Sequence, residues 1–203
     1  MNRIGHIAAW SALTGYLMII AVVVVAGAAW PGYDHLRQYI SELGATGAPH
    51  GQEVSVFGFL IPGALLIAFA ALTFLSLRRS ALSLLGFVGV ALFYAGYFFS
   101  GFYRCDFGCP VGGGSHAQRM HELFGVPGYF AAPATLALLA FASRRWQGAG
   151  PLFPLGLLCA AVALVSLPLL GAGFEFHGLA QRALEGAMAA WVIACAAYVL
   201  KRR

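Results

Sequence analysis

The chain has 203 residues, of which 61% are hydrophobic and 9% are charged. Ordinary soluble domains carry about 25% charged residues, so this chain has too few charges to cover a water-exposed surface. Its high hydrophobicity also excludes intrinsic disorder. We therefore expect a single membrane domain over residues 1–203, and this domain should be all-α because backbone polar groups in lipid must be satisfied within each segment.

Six segments are long and apolar enough to cross the roughly 30 Å hydrocarbon core as helices. In chain order they cover residues 7–30, 54–77, 81–102, 121–142, 152–172 and 179–200. The first segment has the basic start of a signal peptide, but its apolar run exceeds a signal core of about 7–15 residues. We therefore predict that it is retained, and that the fold is an integral membrane bundle of six transmembrane helices.

Basic residues are distributed unequally between the two sides of these spans. The side that holds both termini has eight, and the other side has four; the eight are Arg3, Arg78, Arg79, Arg144, Arg145, Lys201, Arg202 and Arg203. Because basic residues concentrate in cytoplasmic loops, we predict cytoplasmic termini in a bacterial inner membrane. The lipid bilayer is the partner that these cations indicate, and no nucleic acid partner is expected. No pattern indicates an oligomeric state.

Acidic residues and histidines are sorted to the opposite, outer side. All seven acids and five of the six histidines lie in outer loops or in the outer halves of spans. The greater length of the outer loops alone would explain this sorting, because longer loops hold more polar residues. The alternative is a shared polar site at the extracytoplasmic mouth of the bundle.

The first outer loop is predicted to contain a short amphipathic helix over residues 35–43. Its apolar positions at helical spacing are Leu36, Tyr39, Ile40 and Leu43. Asp34 precedes it as an N-cap, and Gly44 follows it as a C-cap. The helix either lies on the lipid surface or forms a lid that presents Arg37, Ser41 and Glu42 to the bundle.

The second outer loop holds two cysteines, Cys105 and Cys109, which face an oxidising compartment in this orientation. A disulfide is the expected outcome. A metal site is an alternative, because this region also contains the ligand types Asp106, His116 and His121. A redox-active pair is a third possibility, although the spacing is not Cys-x-x-Cys. Residues 115–118 match a capping box, which would start the fourth helix there.

The start of the sixth span carries a polar stripe. His177, Gln181 and Glu185 are spaced four residues apart and lie along one side of the helix. Glu185 is roughly 12 Å below His177 at about 1.5 Å per residue. A carboxylate at that depth should face the bundle interior and have a partner, for which Arg182 is the local candidate. The stripe is either a structural ion pair or the floor of a polar cavity.

Aromatic residues cluster at the outer end of the third span. Their position is typical of an aromatic belt at the membrane interface. Tyr94 and Tyr97 lie deeper than the others. They either pack in the bundle or line a pocket, and packing is the favoured interpretation.

The combined pattern resembles the prokaryotic domain-of-unknown-function 998 (DUF998) family of integral membrane proteins. The resemblance covers nearly the whole chain, and its most specific part is Ile-Ser-Glu-Leu-Gly at residues 40–44. It implies a six-helix membrane protein without a defined activity. It also implies recurrent polar positions at Ser41, Glu42, Asp106, His121 and Arg182, whereas the cysteine pair departs from many members.

A more distant likeness is to the alkaline ceramidase and adiponectin-receptor hydrolases, which hold zinc with histidines at one membrane face. It implies zinc bound by His116, His121 and His177. Asp106 would then act on the metal-bound water, and Arg182 or Ser41 would stabilise the oxyanion. The chain lacks the seventh span and the His-x-x-x-His motif of those enzymes.

Two functions from different classes follow from these patterns. In the first, an outward polar site that includes Glu42, Gln181 and Glu185 binds a small or lipid-like molecule. In the second, the chain is a metal-dependent membrane hydrolase of lipid amides or esters. A purely structural subunit is a third class, and no motif decides whether the chain is an enzyme.

Overall fold

Six long helices make up most of the chain in the computed structural model, which describes residues 3–171 and 173–202. They are α1 (Arg3–Ala29), α2 (Gly51–Ser76), α3 (Ala81–Ser100), α4 (His116–Ser143), α5 (Leu152–Leu170) and α6 (His177–Lys201). Each is long and apolar enough to cross a membrane, and the described residues contain no strand. The prediction of an all-α, six-span membrane protein is confirmed.

The start of α4 agrees with the position predicted from residues 115–118. This helix begins at His116, five residues before the predicted apolar span, because the Ser115 hydroxyl accepts the backbone N–H of Gln118 at 3.1 Å and caps its first turn. Within α2, residues Ser55–Leu60 form a π-helical segment. Such segments are frequent at functional sites, and this one carries Phe59 to the cavity described below.

The helices form a closed ring. Each packs against its neighbours in the chain, and α1 also packs against α6. The loops 30–50 and 101–115 and the connection before α6 meet at one end, where Thr46 N–H donates to Cys105 O and Leu179 N–H donates to Leu36 O, both at 2.8 Å. We call this end the long-loop face. The short-loop face at the other end holds residues 77–80 and 144–151.

Glycines bring the backbones of α3 and α4 into close contact. A Cβ atom on Gly128 would lie 2.7 Å from the Cα atom of Phe93, and one on Gly96 would lie 3.1 Å from the Cα atom of Gly125. Small residues allow this approach, which favours helix association in lipid. The close contact fixes the relative positions of the two helices that supply Tyr97 and Tyr129 to the candidate site.

The predicted amphipathic helix over residues 35–43 is wrong. Asp34 is not an N-cap but the start of a turn: its carboxylate accepts the N–H of Leu36 and its carbonyl accepts the N–H of Gln38, both at 2.8 Å. A short 3₁₀ helix, Ile40–Gly44, follows. The side chain of Glu42 accepts the N–H of Tyr39 at 2.8 Å. Side-chain acceptors of this kind compete with the helical pattern of backbone hydrogen bonds, and here they prevail.

Gly44 was predicted to be the C-cap of this helix, but it instead allows close packing. The C-cap position is Ala45, with extended backbone. A Cβ atom on Gly44 would lie 2.4 Å from a ring carbon of Phe59. The loop therefore sits directly on α2, and this contact holds it over the bundle.

Candidate functional site

A cavity with a volume of about 540 Å³ lies under the long-loop face. Its walls come from α3, α4, α6 and the end of α5, and residues of the first two long loops cover it. Most lining residues are apolar, and the aromatic ones are Tyr39, Phe59, Phe93, Tyr97, Tyr129 and Phe130. Small-molecule sites have volumes of about 300–1,000 Å³, so the cavity can hold a ligand of that class.

A buried carboxyl group, that of Glu185, forms the polar part of the cavity wall. The residue is only 9% exposed, and its two oxygens accept hydrogen bonds from the hydroxyls of Tyr97 and Tyr129. The side chain of Gln181 donates to the Tyr129 hydroxyl at 2.9 Å and accepts the N–H of Ile40 at 2.6 Å. A continuous hydrogen-bond network therefore connects α3, α4 and α6 to the first loop.

The predicted Arg182–Glu185 ion pair is not formed. Arg182 instead faces the first loop, where it donates to the carbonyl of Gln38 at 2.8 Å, the hydroxyl of Tyr33 at 2.7 Å and Nδ1 of His35 at 3.2 Å. Arg182 does not line the cavity, so the structure gives it no role as an oxyanion donor there. Among the described residues, no salt bridge involves Glu185.

The surroundings of Arg182 explain this orientation. Burial raises the pKa of Tyr33 to about 12, although the Arg182 charge opposes the rise. Burial and the Arg182 charge lower the pKa of His35, whose Nδ1 accepts from the Arg182 guanidinium. A Cβ atom on Gly178 would lie 2.3 Å from the Gln38 carbonyl oxygen, so the loop backbone rests directly on α6. Arg182 therefore clamps the first loop to α6.

We expect Arg182→Met to release the first loop and destabilise the protein by about 2 kcal/mol, because hydrogen bonds from a charged donor contribute about 1.5–3 kcal/mol when buried. Hydrogen exchange should rise at the amides of residues 36–40. Arg119→Met is the control, since that guanidinium donates to the carbonyl of exposed Gly114, which lies just before α4 and not in the first loop. Equal protection of residues 36–40 in both variants would contradict the clamp.

Glu42 is not a cavity residue, contrary to its prediction. It is 6% exposed, and its carboxylate accepts the N–H of Tyr39 at 2.8 Å and the side-chain amide of Gln38 at 2.9 Å. Both bonds stabilise the turn in which Glu42 lies. Ser41, from the same 3₁₀ helix, does line the cavity. The loop thus covers the cavity, but Arg37 and Glu42 do not face it.

Asp106 is occupied within its own loop. Its carboxylate accepts the N–H and the hydroxyl of Ser115, both at 2.7 Å, and these bonds lower the pKa of Asp106. The side chain of Gln118 accepts the N–H of Asp106 at 3.0 Å, so the predicted capping box with Ser115 is not completed. Asp106 is not among the cavity residues, and its contacts are those of a residue that shapes the loop.

Cys105 and Cys109 form a disulfide, and their Cα atoms are 5.1 Å apart. Both residues are buried, and Cys109 also lines the cavity. The bond therefore closes a tight turn that forms part of the cavity cover. Cys159 and Cys195 are free and buried, as expected for packed thiols.

Replacing Cys105 and Cys109 together by serine should lower the free energy of unfolding by about 2 kcal/mol, the loop-entropy estimate for so short a closed loop. Thermal unfolding with and without reductant measures this effect. Reductant should shift the wild type to the variant's midpoint and leave the variant unchanged. A Cys159→Ala variant should keep the full response to reductant.

The three histidines proposed as zinc ligands do not form a site. His121 contacts the Tyr103 carbonyl through Nδ1 at 3.0 Å, and His177 contacts the Phe174 carbonyl through Nδ1 at 2.9 Å. His116 is exposed, and of the three only His121 lines the cavity. Within residues 3–171 and 173–202, no group of three or more His, Cys, Asp or Glu side chains could hold a metal ion. The arrangement does not support the likeness to zinc hydrolases.

Two tyrosines of the site, Tyr39 and Tyr129, were not predicted from the sequence. Tyr129 lies in the middle of α4, far from the membrane–water interface. A tyrosine hydroxyl at that depth needs a buried hydrogen-bond partner, and this was the signal in the sequence. Tyr39 was assigned to an apolar helix face, but its hydroxyl donates to the Leu170 carbonyl and its ring packs 4.3 Å from that of His177. Tyr97, for which a pocket was the less favoured interpretation, lines the cavity.

The model of a family described as "Protein of unknown function (DUF998)" matches residues 13–198, a range that reaches from α1 to α6 and contains the whole cavity. No curated protein and no solved structure matches the chain.

Proposed function

The chain belongs to the DUF998 family of proteins of unknown function, and from its cavity we propose that it binds one small lipid-like molecule within the membrane. The observation that carries the proposal is a buried carboxyl group, Glu185, in the wall of a mostly apolar cavity of about 540 Å³. Ligand sites have this composition: apolar walls provide affinity, and a few convergent polar groups fix the orientation.

The position of the cavity rim supports a ligand with an apolar chain. Val126 and Phe130, on α4, are 45% and 67% exposed, and both line the cavity. Pro168, near the end of α5, is also exposed and lines it. The rim therefore includes outer surfaces of helices that are apolar enough to face lipid. The polar end of the ligand binds near Glu185, and its chain extends along this rim.

Filling the cavity tests the proposal. A Cβ atom on Gly125 would meet nothing within 4 Å, and Gly125 lines the cavity, so we expect Gly125→Leu to place its side chain in the open space. Gly186→Leu is the matched control, because Gly186 also has open space around it but does not line the cavity. Both variants should fold, since leucine favours a helix over glycine by about 1 kcal/mol.

Native mass spectrometry of protein extracted in mild detergent measures bound lipid-like molecules directly. We expect the wild type and Gly186→Leu to retain one bound amphiphile, and Gly125→Leu to retain at least tenfold less. Equal retention by both variants would overturn the proposal, as would the absence of any stoichiometric amphiphile from the wild type.

We also propose that the protein lies in a bacterial inner membrane with both termini in the cytoplasm. The short-loop face carries Arg78, Arg79, Arg144 and Arg145, as expected for a cytoplasmic side. The long-loop face carries the disulfide, which suits an oxidising compartment.

Cysteine labelling tests this orientation. Gln52, near the long-loop face, and Gln147, on the short-loop face, are both exposed. In intact bacterial cells, a membrane-impermeant maleimide should label Gln52→Cys and not Gln147→Cys, and disruption of the cells should expose both. The parent chain is the control because its two free cysteines are buried. The reverse labelling pattern would contradict the proposed orientation.

A further inference from the structure

The charges that line the cavity are of one sign. Among the residues that the structure describes, its acidic lining residues are Glu122 and Glu185, its one lining histidine is His121, and no lysine or arginine lines it. The nearest arginine along α6, Arg182, uses its donors on the first loop. The site thus has no cation to bind a phosphate, sulfate or carboxylate group, and an anionic head would meet Glu185 without compensation.

The hydrogen-bond directions at Glu185 also favour an electropositive ligand group, which is either an N–H or O–H donor or the N-methyl groups of a quaternary ammonium that share its positive charge. The hydroxyl protons of Tyr97 and Tyr129 are both directed to the carboxylate. Each carboxylate oxygen has further lone pairs, and the Tyr97 oxygen can still accept, whereas the Tyr129 oxygen already accepts from Gln181. The part of the site around Glu185 therefore presents acceptors to a ligand.

Aromatic rings surround this acceptor group. The ring of Phe93 is 5.3 Å from that of Tyr129 and 6.3 Å from that of Tyr97, measured between centroids. Phe59 is 5.7 Å from Tyr97, with the two rings edge to face. All of these rings line the cavity. Aromatic faces attract cations, and several faces around one site are the usual means of recognising alkylammonium groups.

We infer that the ligand of this cavity is a cationic amphiphile, with an ammonium head bound between Glu185 and the rings of Phe93, Tyr97 and Tyr129, and with an alkyl chain along the rim. This inference rests on the proposed function and names the chemical class of its ligand. The head supplies the positive charge that the protein does not place beside Glu185. Its alkyl chain follows the apolar walls that lead to Val126 and Phe130.

Three probes with the same chain test the inference: dodecyltrimethylammonium, dodecanol and dodecyl phosphate. The two charged probes are titrated below their micelle concentrations, and dodecanol below its solubility limit, into protein held in lipid nanodiscs, and binding is measured by isothermal calorimetry against empty nanodiscs. We expect saturable binding of one dodecyltrimethylammonium per protein, at least tenfold tighter than dodecyl phosphate. Glu185→Gln, which keeps the size but removes the charge and replaces one acceptor oxygen by an NH2 donor, should weaken dodecyltrimethylammonium at least tenfold and change dodecanol less than threefold.

The outcomes separate this inference from the proposed function. If dodecyl phosphate binds as tightly as dodecyltrimethylammonium in the wild type, the cationic class is wrong, whether or not the Glu185 variant folds. If such binding is lost in Gly125→Leu and kept in Gly186→Leu, the lipid-binding function still stands. If no probe binds saturably, or if Gly125→Leu affects none of them, both proposals fail.

Discussion

Replacing Tyr97 and Tyr129 together by phenylalanine should destabilise the protein by about 3–6 kcal/mol, since a buried hydrogen bond to a charged group is worth about 1.5–3 kcal/mol. The two hydroxyls donate to separate oxygens of Glu185, and among the described residues no salt bridge compensates that carboxylate. Removing both donors leaves a carboxylate within the bundle without protein partners. Thermal or denaturant unfolding in a fixed detergent measures the loss.

A third substitution shows whether the loss comes from the carboxylate. Adding Glu185→Leu to the double variant removes the group that has lost its partners, so most of the stability should return. Tyr94→Phe is the control, because the Tyr94 hydroxyl bonds to that of Tyr16 and not to Glu185. If Glu185→Leu destabilises the double variant further, the two tyrosines do not act by supporting the carboxylate.

Gly128→Leu should be the most disruptive single substitution between α3 and α4, with a cost of about 3 kcal/mol or a failure to fold. Its Cβ atom would lie 2.7 Å from the Cα atom of Phe93, and backbone atoms of a packed helix cannot move aside as a flexible side chain can. Gly125→Leu, in the same helix, is the matched control because its Cβ atom meets open space.

Size-exclusion chromatography and thermal unfolding of detergent-extracted protein compare the two glycine variants. Gly125→Leu should elute as the wild type and unfold at a similar or higher temperature. Gly128→Leu should be largely lost to aggregation, or should unfold at a clearly lower temperature. Equal behaviour would mean that α3 and α4 can separate at little cost, which would contradict the packing described above.

Helices were predictable because lipid imposes a length and an apolar composition that can be read residue by residue. The predicted spans overlap all six observed helices. The shorter elements depend instead on competition between local hydrogen bonds. Over residues 35–43 the periodicity favoured a helix, but Asp34 and Glu42 bind backbone N–H groups in turns. The spacing of apolar residues carries no information about that competition between side-chain and backbone hydrogen bonds.

The sequence could predict those site residues whose polar side chains lie within a membrane span, because burying them there costs free energy unless they have a partner. Glu185 and Gln181 lie within a span, so burial and a partner could be expected, and both line the cavity. The identity of the partner was not predictable from spacing. Arg182 is three residues from Glu185, yet its side chain faces the loop, and the partners Tyr97 and Tyr129 come from two other helices.

For the histidines, the error was to infer a shared metal site from residue types alone. His116, His121 and His177 are ligand types on one side of the membrane, and sequence alone can place them there. Whether they share one point depends on the rotation of each helix and on loop geometry. In the structure, His121 contacts the carbonyl of Tyr103 in the second long loop, and His177 contacts the carbonyl of Phe174 just before its own helix.

The closure of the ring by α6 has a consequence for biosynthesis. α6 follows the other five helices in the chain, and it carries both Gln181 and Glu185. A nascent chain that ends before α6 therefore has Tyr97 and Tyr129 but not the carboxylate that accepts from them. The cavity is completed only when α6 packs against α1 and α5. A ligand bound there stabilises only the fully assembled protein, and its presence in the membrane would favour the last step of assembly over degradation of the unfinished bundle.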